Sequence, residues 1–240
     1  MSCIPSVVDI NSMEEYFELI IKYDLLYPHW LFRGQNPIKT VDLLPTIGRD
    51  KSKNGLFNDE MQGFRMFKRS LPLHGLYLSQ LKDIDLLAIA QHYRLKTRLL
   101  DWSGSPFIAL YFACDKEISS EPSVVYACKF TDDSYTGAFT PDSSEINPFD
   151  INEITVYASD FIDSRIYNQR GMFTIHPYEK ATDSYRGINP STPNLTDMII
   201  FRITNRVGIK NQLEKIGFSP ITMYNTLEAT AEYANNWKMF

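Results

Sequence analysis

The sequence predicts an α+β fold, and two features of the 240-residue chain support this prediction. Segments with apolar residues at helical spacing alternate along the chain with short runs that are rich in β-branched and aromatic residues. In addition, a chain of this length that is 44% hydrophobic can bury most of its apolar surface in one core. We therefore expect a single domain over residues 1–240.

The first expected helix covers residues 11–24, where either Asn11 or Ser12 can cap its start and apolar side chains recur at helical spacing. Pro106, which the first turn of a helix tolerates, indicates the start of another helix. The remaining helices are expected over residues 57–70, 84–93, 107–114, 207–216 and 227–234.

Strands are expected where β-branched and aromatic residues cluster between turn residues. The run SVVYACKF at 123–130 is the best candidate for a central strand. Other strands are expected at 29–34, 171–176 and 198–204. Residues 132–152 are polar and contain Gly137, Pro141 and Pro148, so they predict a long surface loop that a lid or insertion could occupy.

Composition narrows the range of partners. The net charge is −5, with 29 acidic and 24 basic residues and no long run of one sign, so duplex nucleic acid is not expected as a partner. Cys3, Cys114 and Cys128 fit no zinc-ligand spacing, which predicts reduced thiols, no metal and a cytoplasmic location. The N-terminus has no signal-like segment and no apolar stretch is long enough to span a bilayer, so no membrane partner is expected.

Arg33 is the first candidate for a functional residue. An arginine at the end of an aromatic strand, beside Gly34, is well placed to bind a phosphate or carboxylate with two parallel hydrogen bonds. Gly34 would let a ligand approach the backbone closely. Alternatively, Arg33 pairs with an internal acid such as Asp101 and only stabilises the fold.

A second candidate segment places amide, imidazole, guanidinium, carboxylate and hydroxyl groups within about a dozen residues. Gln91 and His92 lie on a helix that is otherwise apolar, and residues 97–103 (TRLLDWS) follow closely. One interpretation is a buried network in which His92, Arg98 and Asp101 satisfy one another. The other is a pocket wall in which His92 and Arg98 contact a ligand.

The third segment, residues 165–176, brings two arginines and Gln169 to the start of a strand, although an ordinary loop-to-strand connection would look the same. The chain contains no P-loop, GxSxG, HExxH or GxGxxG motif. These absences argue against the common NTPase, α/β-hydrolase, zincin and Rossmann chemistries.

Together the three segments resemble the FRG family, which is named for its Phe/Tyr-Arg-Gly motif. The resemblance rests on Phe32-Arg33-Gly34 with Gln35, on AIAQHYRLKTRLLDWSGSPFIALYFA at 88–113, and on Gln169–Thr174, and it extends from about Trp30 to the last helices. The family often has His-Gly-Leu-Pro where this chain has HYRLK at 92–96. Because that family is largely uncharacterised, the resemblance implies no particular reaction.

The order of these segments is also similar to that of toxin-like ADP-ribosyltransferases. Those enzymes begin their site with an aromatic-Arg-Gly strand and continue with a Ser-Thr-Ser strand, an Ala-x-x-Phe-Ala helix and an apolar strand. The corresponding segments here are 100–103, 109–113 and 123–130. The likeness implies a central, mostly antiparallel, split sheet flanked by helices, and NAD as the ligand.

The same likeness implies roles for individual residues. Arg33 would neutralise the pyrophosphate, Ser103 would hold the nicotinamide ribose, and His92 or Gln169 would orient the acceptor. The transferases have a catalytic Glu where this chain has Gln169, and Glu179 and Glu228 are poor replacements for it. The expected cofactor site comprises Arg33, Gly34, Gln91, Arg98, Asp101 and Trp102.

The sequence thus predicts an NAD-binding, ADP-ribosyltransferase-like effector, of a kind used in bacterial toxin or phage-conflict systems, that acts on a protein target. The alternative is a non-catalytic module that binds a nucleotide or a protein through the same basic and amide side chains.

Overall fold

The computed structural model describes residues 4–26, 29–35, 43–49, 54–77, 80–115, 122–138, 146–159 and 164–236. Within them the chain forms a large, mostly antiparallel sheet flanked by helices, which confirms the α+β prediction. The strands are β1 (Ser6–Ile10), β2 (Trp30–Gln35), β3 (Leu99–Ser103), β4 (Ser123–Phe130), β5 (Tyr135–Gly137), β6 (Thr155–Ala158), β7 (Gly171–Ile175), β8 (Tyr178–Glu179), β9 (Ser184–Tyr185) and β10 (Leu195–Ile203). The helices are α1 (Met13–Lys22), α2 (Leu56–Ser70), α3 (Asp83–His92), α4 (Pro106–Cys114), α5 (Ser164–Asn168), α6 (Arg206–Lys215), α7 (Pro220–Tyr224) and α8 (Leu227–Asn236).

Eight strands form one sheet in the order β1-β10-β4-β2-β3-β7-β6-β5, and β8 and β9 form a separate two-stranded ribbon. The β1/β10 and β5/β6 pairs are parallel, whereas the other pairs are antiparallel. The predicted central strand β4 lies between β10 and β2. Its eight residues include a single half-buried position, as a strand packed on both faces requires.

The sheet is almost divided between β2 and β3. Phe32 and Ser103 form the one register pair between these strands, whereas β2 pairs with β4 along six residues and β3 with β7 along five. The sheet is therefore continuous but opens into two halves beyond the Phe32–Ser103 pair. This opening determines where the candidate site lies.

Four clusters of buried side chains form the core of the described residues. Adjacent strand residues point to opposite faces of a sheet, and accordingly Leu31 and Phe32 belong to different clusters. The Phe32 cluster joins α1, α4 and α6 to the half of the sheet that contains β2, β4 and β10. A further cluster joins α2 and α3 to β3 and β7 through side chains such as Phe64 and Leu99.

Sequence patterns identified the longer elements within one to three residues of their ends. Ser12, one of the two predicted caps, accepts a hydrogen bond from the Glu15 amide at 3.1 Å and so begins α1. The patterns missed α5, α7 and six strands of two to five residues, of which β3 was expected only through the likeness to ADP-ribosyltransferases. Such short elements contain too few residues to display a period, and tertiary pairing determines their conformation.

The expected surface loop at 132–152 is partly wrong. Tyr135–Gly137 forms the edge strand β5, and the Tyr135 hydroxyl donates to the His29 carbonyl at 2.5 Å. Residues 139–145 lie outside the described residues, so the lid stays a prediction. Cys114 and Cys128 are buried, while Cys3 lies outside the described residues. Across the described ranges, none of the helices combines the length and the apolarity that crossing a membrane demands.

Candidate functional site

A cleft opens where β2 and β3 diverge. This main cleft has a volume of about 390 Å³, within the range of small-molecule sites. A smaller side pocket of about 100 Å³ adjoins it, and Asp101, Trp102, Arg165 and Gln169 line both. The other residues that line the main cleft are Phe32, Arg33, Gly34, Gln35, Arg49, Ser103, Ala109, Phe112 and Tyr224.

Arg33 lies across the opening between the two strands. Its Nη1 donates to the Asp101 carbonyl at 2.5 Å and lies 4.0 Å from the Asp101 carboxylate, and 17% of its side chain is exposed. Its Nε is buried without a hydrogen-bond partner in the described part of the chain. Burial lowers the pKa of Arg33, while the Asp101 charge opposes that shift. An arginine still keeps its charge, so Arg33 presents a cation with an unused donor.

The main cleft is rich in positive charge. Arg49 and Arg165 line it together with Arg33, whereas Asp101 is the one carboxylate among the described residues that line it. Arg49 is exposed and its Nε donates to the Leu44 carbonyl at 3.0 Å. Three guanidinium groups around one cavity attract an anion, and guanidinium geometry suits phosphate or carboxylate oxygens.

Gln91 holds the Asp101 carboxylate in place. The Gln91 Nε2 donates to Asp101 Oδ1 at 2.6 Å, and the Gln91 Oε1 accepts from the Thr97 hydroxyl. The Asp101 side chain is nevertheless 64% exposed at the boundary between the main cleft and the side pocket. Gln91 thus orients an accessible carboxylate rather than neutralising it.

Ser103 and Gln169 tie the walls of the main cleft together. The Ser103 hydroxyl donates to the Gln169 carbonyl at 2.7 Å and accepts from the Ser105 amide at 3.0 Å. The Gln169 Nε2 donates to the Met223 carbonyl of α7 at 2.9 Å. Because its proton is already used, Ser103 could only accept a hydrogen bond from a ligand.

His92 and Trp102 occupy the region around the side pocket. His92 lines the side pocket and packs edge-on against Tyr93, with ring centroids 5.2 Å apart. Trp102 is buried, and its Nε1 donates to the Thr174 hydroxyl at 2.9 Å. That hydroxyl is 2.9 Å from Nε2 of His176, whose Nδ1 is 2.6 Å from the Arg186 carbonyl. Trp102 therefore contributes ring surface, while its polar atom serves this buried hydrogen-bond chain.

The structure does not bring Arg98 to either cavity. Both its side chain and that of Glu60 are fully buried, and Arg98 Nη2 lies 2.7 Å from Glu60 Oε2. Glu60 also accepts from the Arg98 backbone amide and from the Tyr185 hydroxyl. Arg98 is thus a core residue. Its partner is Glu60, whereas the buried-network interpretation expected His92 and Asp101.

Gly34 borders the main cleft, but its missing side chain makes room for a helix rather than for a ligand. A Cβ atom at this position would lie 1.9 Å from the Ala109 carbonyl oxygen and 2.6 Å from the Ala113 amide nitrogen, both in the backbone of α4. Only glycine permits so close an approach of helix and strand. Gly34 therefore has a packing role, and its contact with a ligand stays a prediction.

Seven of the predicted site residues line the two cavities besides Gly34: Arg33, Gln91, His92, Asp101, Trp102, Ser103 and Gln169. Glu179 instead pairs with Arg186 at 2.8 Å, and neither it nor Glu228 is among the described lining residues. Sequence reasoning missed Arg49, Phe112 and Tyr224. No local motif marks these three as site residues. The two aromatic rings reach the cleft only because α4 packs on β2 and Tyr224 of α7 packs against Phe112 of α4.

Residues 28–121 match the family model of the FRG domain. The match covers less than half of the 240 residues, and this part of the chain is similar to the FRG domain. The matched range supplies the Arg33 strand, α3, β3 and α4, and hence most of the lining described above.

The matched range of the FRG domain ends before Gln169–Thr174, which the sequence comparison had included in the resemblance. No curated protein and no solved structure matches the chain. The resemblance to ADP-ribosyltransferases therefore stays a prediction. Among the residues that the structure describes, no three His, Cys, Asp or Glu side chains are grouped as metal ligands would be.

Proposed function

We propose that the main cleft binds a nucleotide that contains a diphosphate, with NAD as the leading candidate. The observation that carries the proposal is Arg33, whose buried Nε has no partner in the described part of the chain and which lies in a cleft with two further arginines. Leaving a buried donor unsatisfied is costly, so an acceptor from a ligand would stabilise this arrangement. Phosphate oxygens are suitable acceptors for it.

The dimensions and lining of the main cleft also support a nucleotide. Its volume of about 390 Å³ exceeds what a lone phosphate requires, and its wall includes the aromatic side chains of Phe112 and Tyr224 as well as the three arginines. A ligand that combines negative charge with flat apolar surface would use both kinds of lining. Nucleotides have this combination, whereas inorganic anions and simple carboxylates lack the apolar part.

A second candidate function is ADP-ribosyl transfer, and it is favoured by the position of Asp101. The bond between the ribose of bound NAD and nicotinamide would break with its electron pair leaving on nicotinamide. The acceptor would form a new bond to the same ribose carbon and release its proton to water. The exposed Asp101 carboxylate, oriented by Gln91, would accept a hydrogen bond from a ribose hydroxyl and stabilise the positive charge that develops on the sugar. Ser103 would accept a further ribose hydrogen bond, and His92 or Gln169 would orient the acceptor.

Thermal-shift titration with NAD, ADP-ribose and ATP tests binding. A ligand that binds only the folded protein raises its melting temperature by mass action. We expect NAD to stabilise the wild-type protein and to lose this effect in Arg33→Gln. Arg202→Gln is the matched control, because Arg202 is a surface arginine paired with Asp9 and does not line the main cleft. Wild-type protein that is folded but unaffected by all three nucleotides would rule out the proposal.

Release of nicotinamide separates the two candidate functions. If the cleft transfers ADP-ribose, wild-type protein incubated with NAD and a bacterial lysate releases nicotinamide, and Asp101→Asn abolishes the release while the variant still binds NAD. Binding without any release favours the non-catalytic module. Should transfer occur, the identity of the modified acceptor would decide whether the protein serves in a toxin or phage-conflict system.

A further inference from the structure

Two aromatic side chains form a corner in the wall of the main cleft. Phe112 of α4 and Tyr224 of α7 are half-buried, with ring centroids 5.9 Å apart and ring planes at 70°. Two rings at this angle offer a third flat ring the face of one and the edge of the other. These are the arrangements that aromatic pairs prefer.

The Tyr224 ring is fixed in this position by its hydroxyl group. That hydroxyl donates to the Asp115 carboxylate at 2.6 Å, and Lys210 Nζ lies 3.3 Å from the other oxygen of the same carboxylate. Burial and the Asp115 charge raise the pKa of Tyr224 above its usual value, so the phenol stays a donor. With its hydroxyl bonded to Asp115, Tyr224 contributes ring surface to the main cleft.

A cation lies beside the same ring. The Arg165 guanidinium carbon is 5.8 Å from the Tyr224 ring centroid, and Arg165 lines the main cleft and the side pocket. A ligand with a base in the Phe112–Tyr224 corner would therefore have a guanidinium group close to that base. In a nucleotide, the phosphate lies a short distance from the base. The Phe112–Tyr224 corner and the nearby Arg165 guanidinium group have the same spatial relation.

We infer that Phe112 and Tyr224 select ligands with an aromatic base over other phosphate compounds. This inference rests on the proposed nucleotide site. The arginines would bind any diphosphate, whereas the Phe112–Tyr224 corner would add affinity only for a diphosphate that bears a base. Stacking on aromatic side chains tolerates different bases because every base has a flat face. The selected class is therefore nucleoside diphosphate compounds in general, without further preference for one base.

The test compares ADP with inorganic pyrophosphate, which share two phosphates but differ in the nucleoside. Calorimetric titration of the wild-type protein is expected to show at least about fivefold tighter binding of ADP, as stacking of one base on aromatic side chains predicts. Phe112→Leu and Tyr224→Leu are expected to remove most of this ratio and to leave pyrophosphate binding unchanged. Tyr224→Phe keeps the ring and is expected to keep the ratio, even if loss of the Asp115 bond lowers the melting temperature.

Different results would overturn different parts of the account. Equal binding of ADP and pyrophosphate by wild-type protein, or an unchanged ratio in both leucine variants, would refute selection by the aromatic corner while leaving the anion site standing. Folded wild-type protein that binds neither compound would refute the nucleotide site and the corner with it. Arg33→Gln separates the anion site from the aromatic corner. It should weaken the binding of ADP and of pyrophosphate equally and preserve the ratio of their affinities.

Discussion

Replacing Arg98 by Met should destabilise the protein strongly, because the substitution leaves a buried carboxylate without its counter-charge. Glu60 is 1% exposed and accepts hydrogen bonds from Arg98 Nε at 3.0 Å and Nη2 at 2.7 Å. It would retain the Arg98 backbone amide and the Tyr185 hydroxyl, which cannot neutralise it. Breaking one side of a buried pair costs about 3–5 kcal/mol.

In a chain of 240 residues that loss corresponds to a fall in melting temperature of roughly 6–20 °C, measured by circular dichroism or calorimetry. Lys68→Met is the matched control, since the Lys68–Asp83 pair has a similar distance of 2.6 Å but side chains that are 40% and 47% exposed. Exposed pairs contribute about 0–1 kcal/mol, so this control should barely change the melting temperature.

The double variant Glu60→Leu/Arg98→Met provides a second check on the same reasoning. Removing both charges removes the need to neutralise either, so the double variant should be more stable than Arg98→Met alone. The reasoning would be refuted if Arg98→Met kept the wild-type melting temperature but lost nucleotide binding. That result would return Arg98 to the ligand site that its sequence neighbours had suggested.

Two further predictions concern packing and pH. Gly34→Ala should unfold or severely destabilise the protein, because the new Cβ would lie 1.9 Å and 2.6 Å from backbone atoms of α4. The control Gly63→Ala should be neutral or stabilising, because its Cβ would meet only the end of the Leu95 side chain, at 3.2 Å. Equal melting temperatures for the two variants would contradict this prediction. Burial lowers the pKa of His176 from 6.5 to about 4 in the folded protein, so its contribution to stability is complete above pH 6.5 and is lost as the pH falls towards 4. Urea unfolding at pH 7.5 and 5 should differ by roughly 2 kcal/mol from this group alone. His176→Gln should reduce that difference, and an unchanged pH dependence would show that His176 is not its source.

The sequence predicted the long elements, and most of its proposed site residues line the two cavities. The physical reasons for success and failure are different. Periodic apolar residues and caps such as Ser12 are local signals, so α1, α2 and α3 could be located without tertiary information. The divergence of β2 from β3 is a property of the whole sheet and has no local signal. The same applies to β1, which is exposed along most of its length and lacks a regular alternation of buried and exposed residues.

Individual polar residues show where local reasoning reaches its limit. Arg33 and Arg98 are both arginines in short strand-like segments, yet the first lines a cleft and the second lies in the core with Glu60. What distinguishes them is a partner 38 residues away in the chain, which no spacing rule could supply. Gly34 shows the same limit, because its role depends on the path of α4 across β2.

The most direct test of the central claim is a calorimetric titration of NAD into the wild-type protein and Arg33→Gln, with Arg202→Gln as the control. A hydrogen bond to a charged group contributes about 1.5–3 kcal/mol, so losing the Arg33 contact should weaken binding at least about tenfold. The account predicts binding by the wild-type and control proteins and this weakening in Arg33→Gln, with all three proteins folded. Absence of NAD binding by folded wild-type protein, or equal affinity in Arg33→Gln, would contradict it.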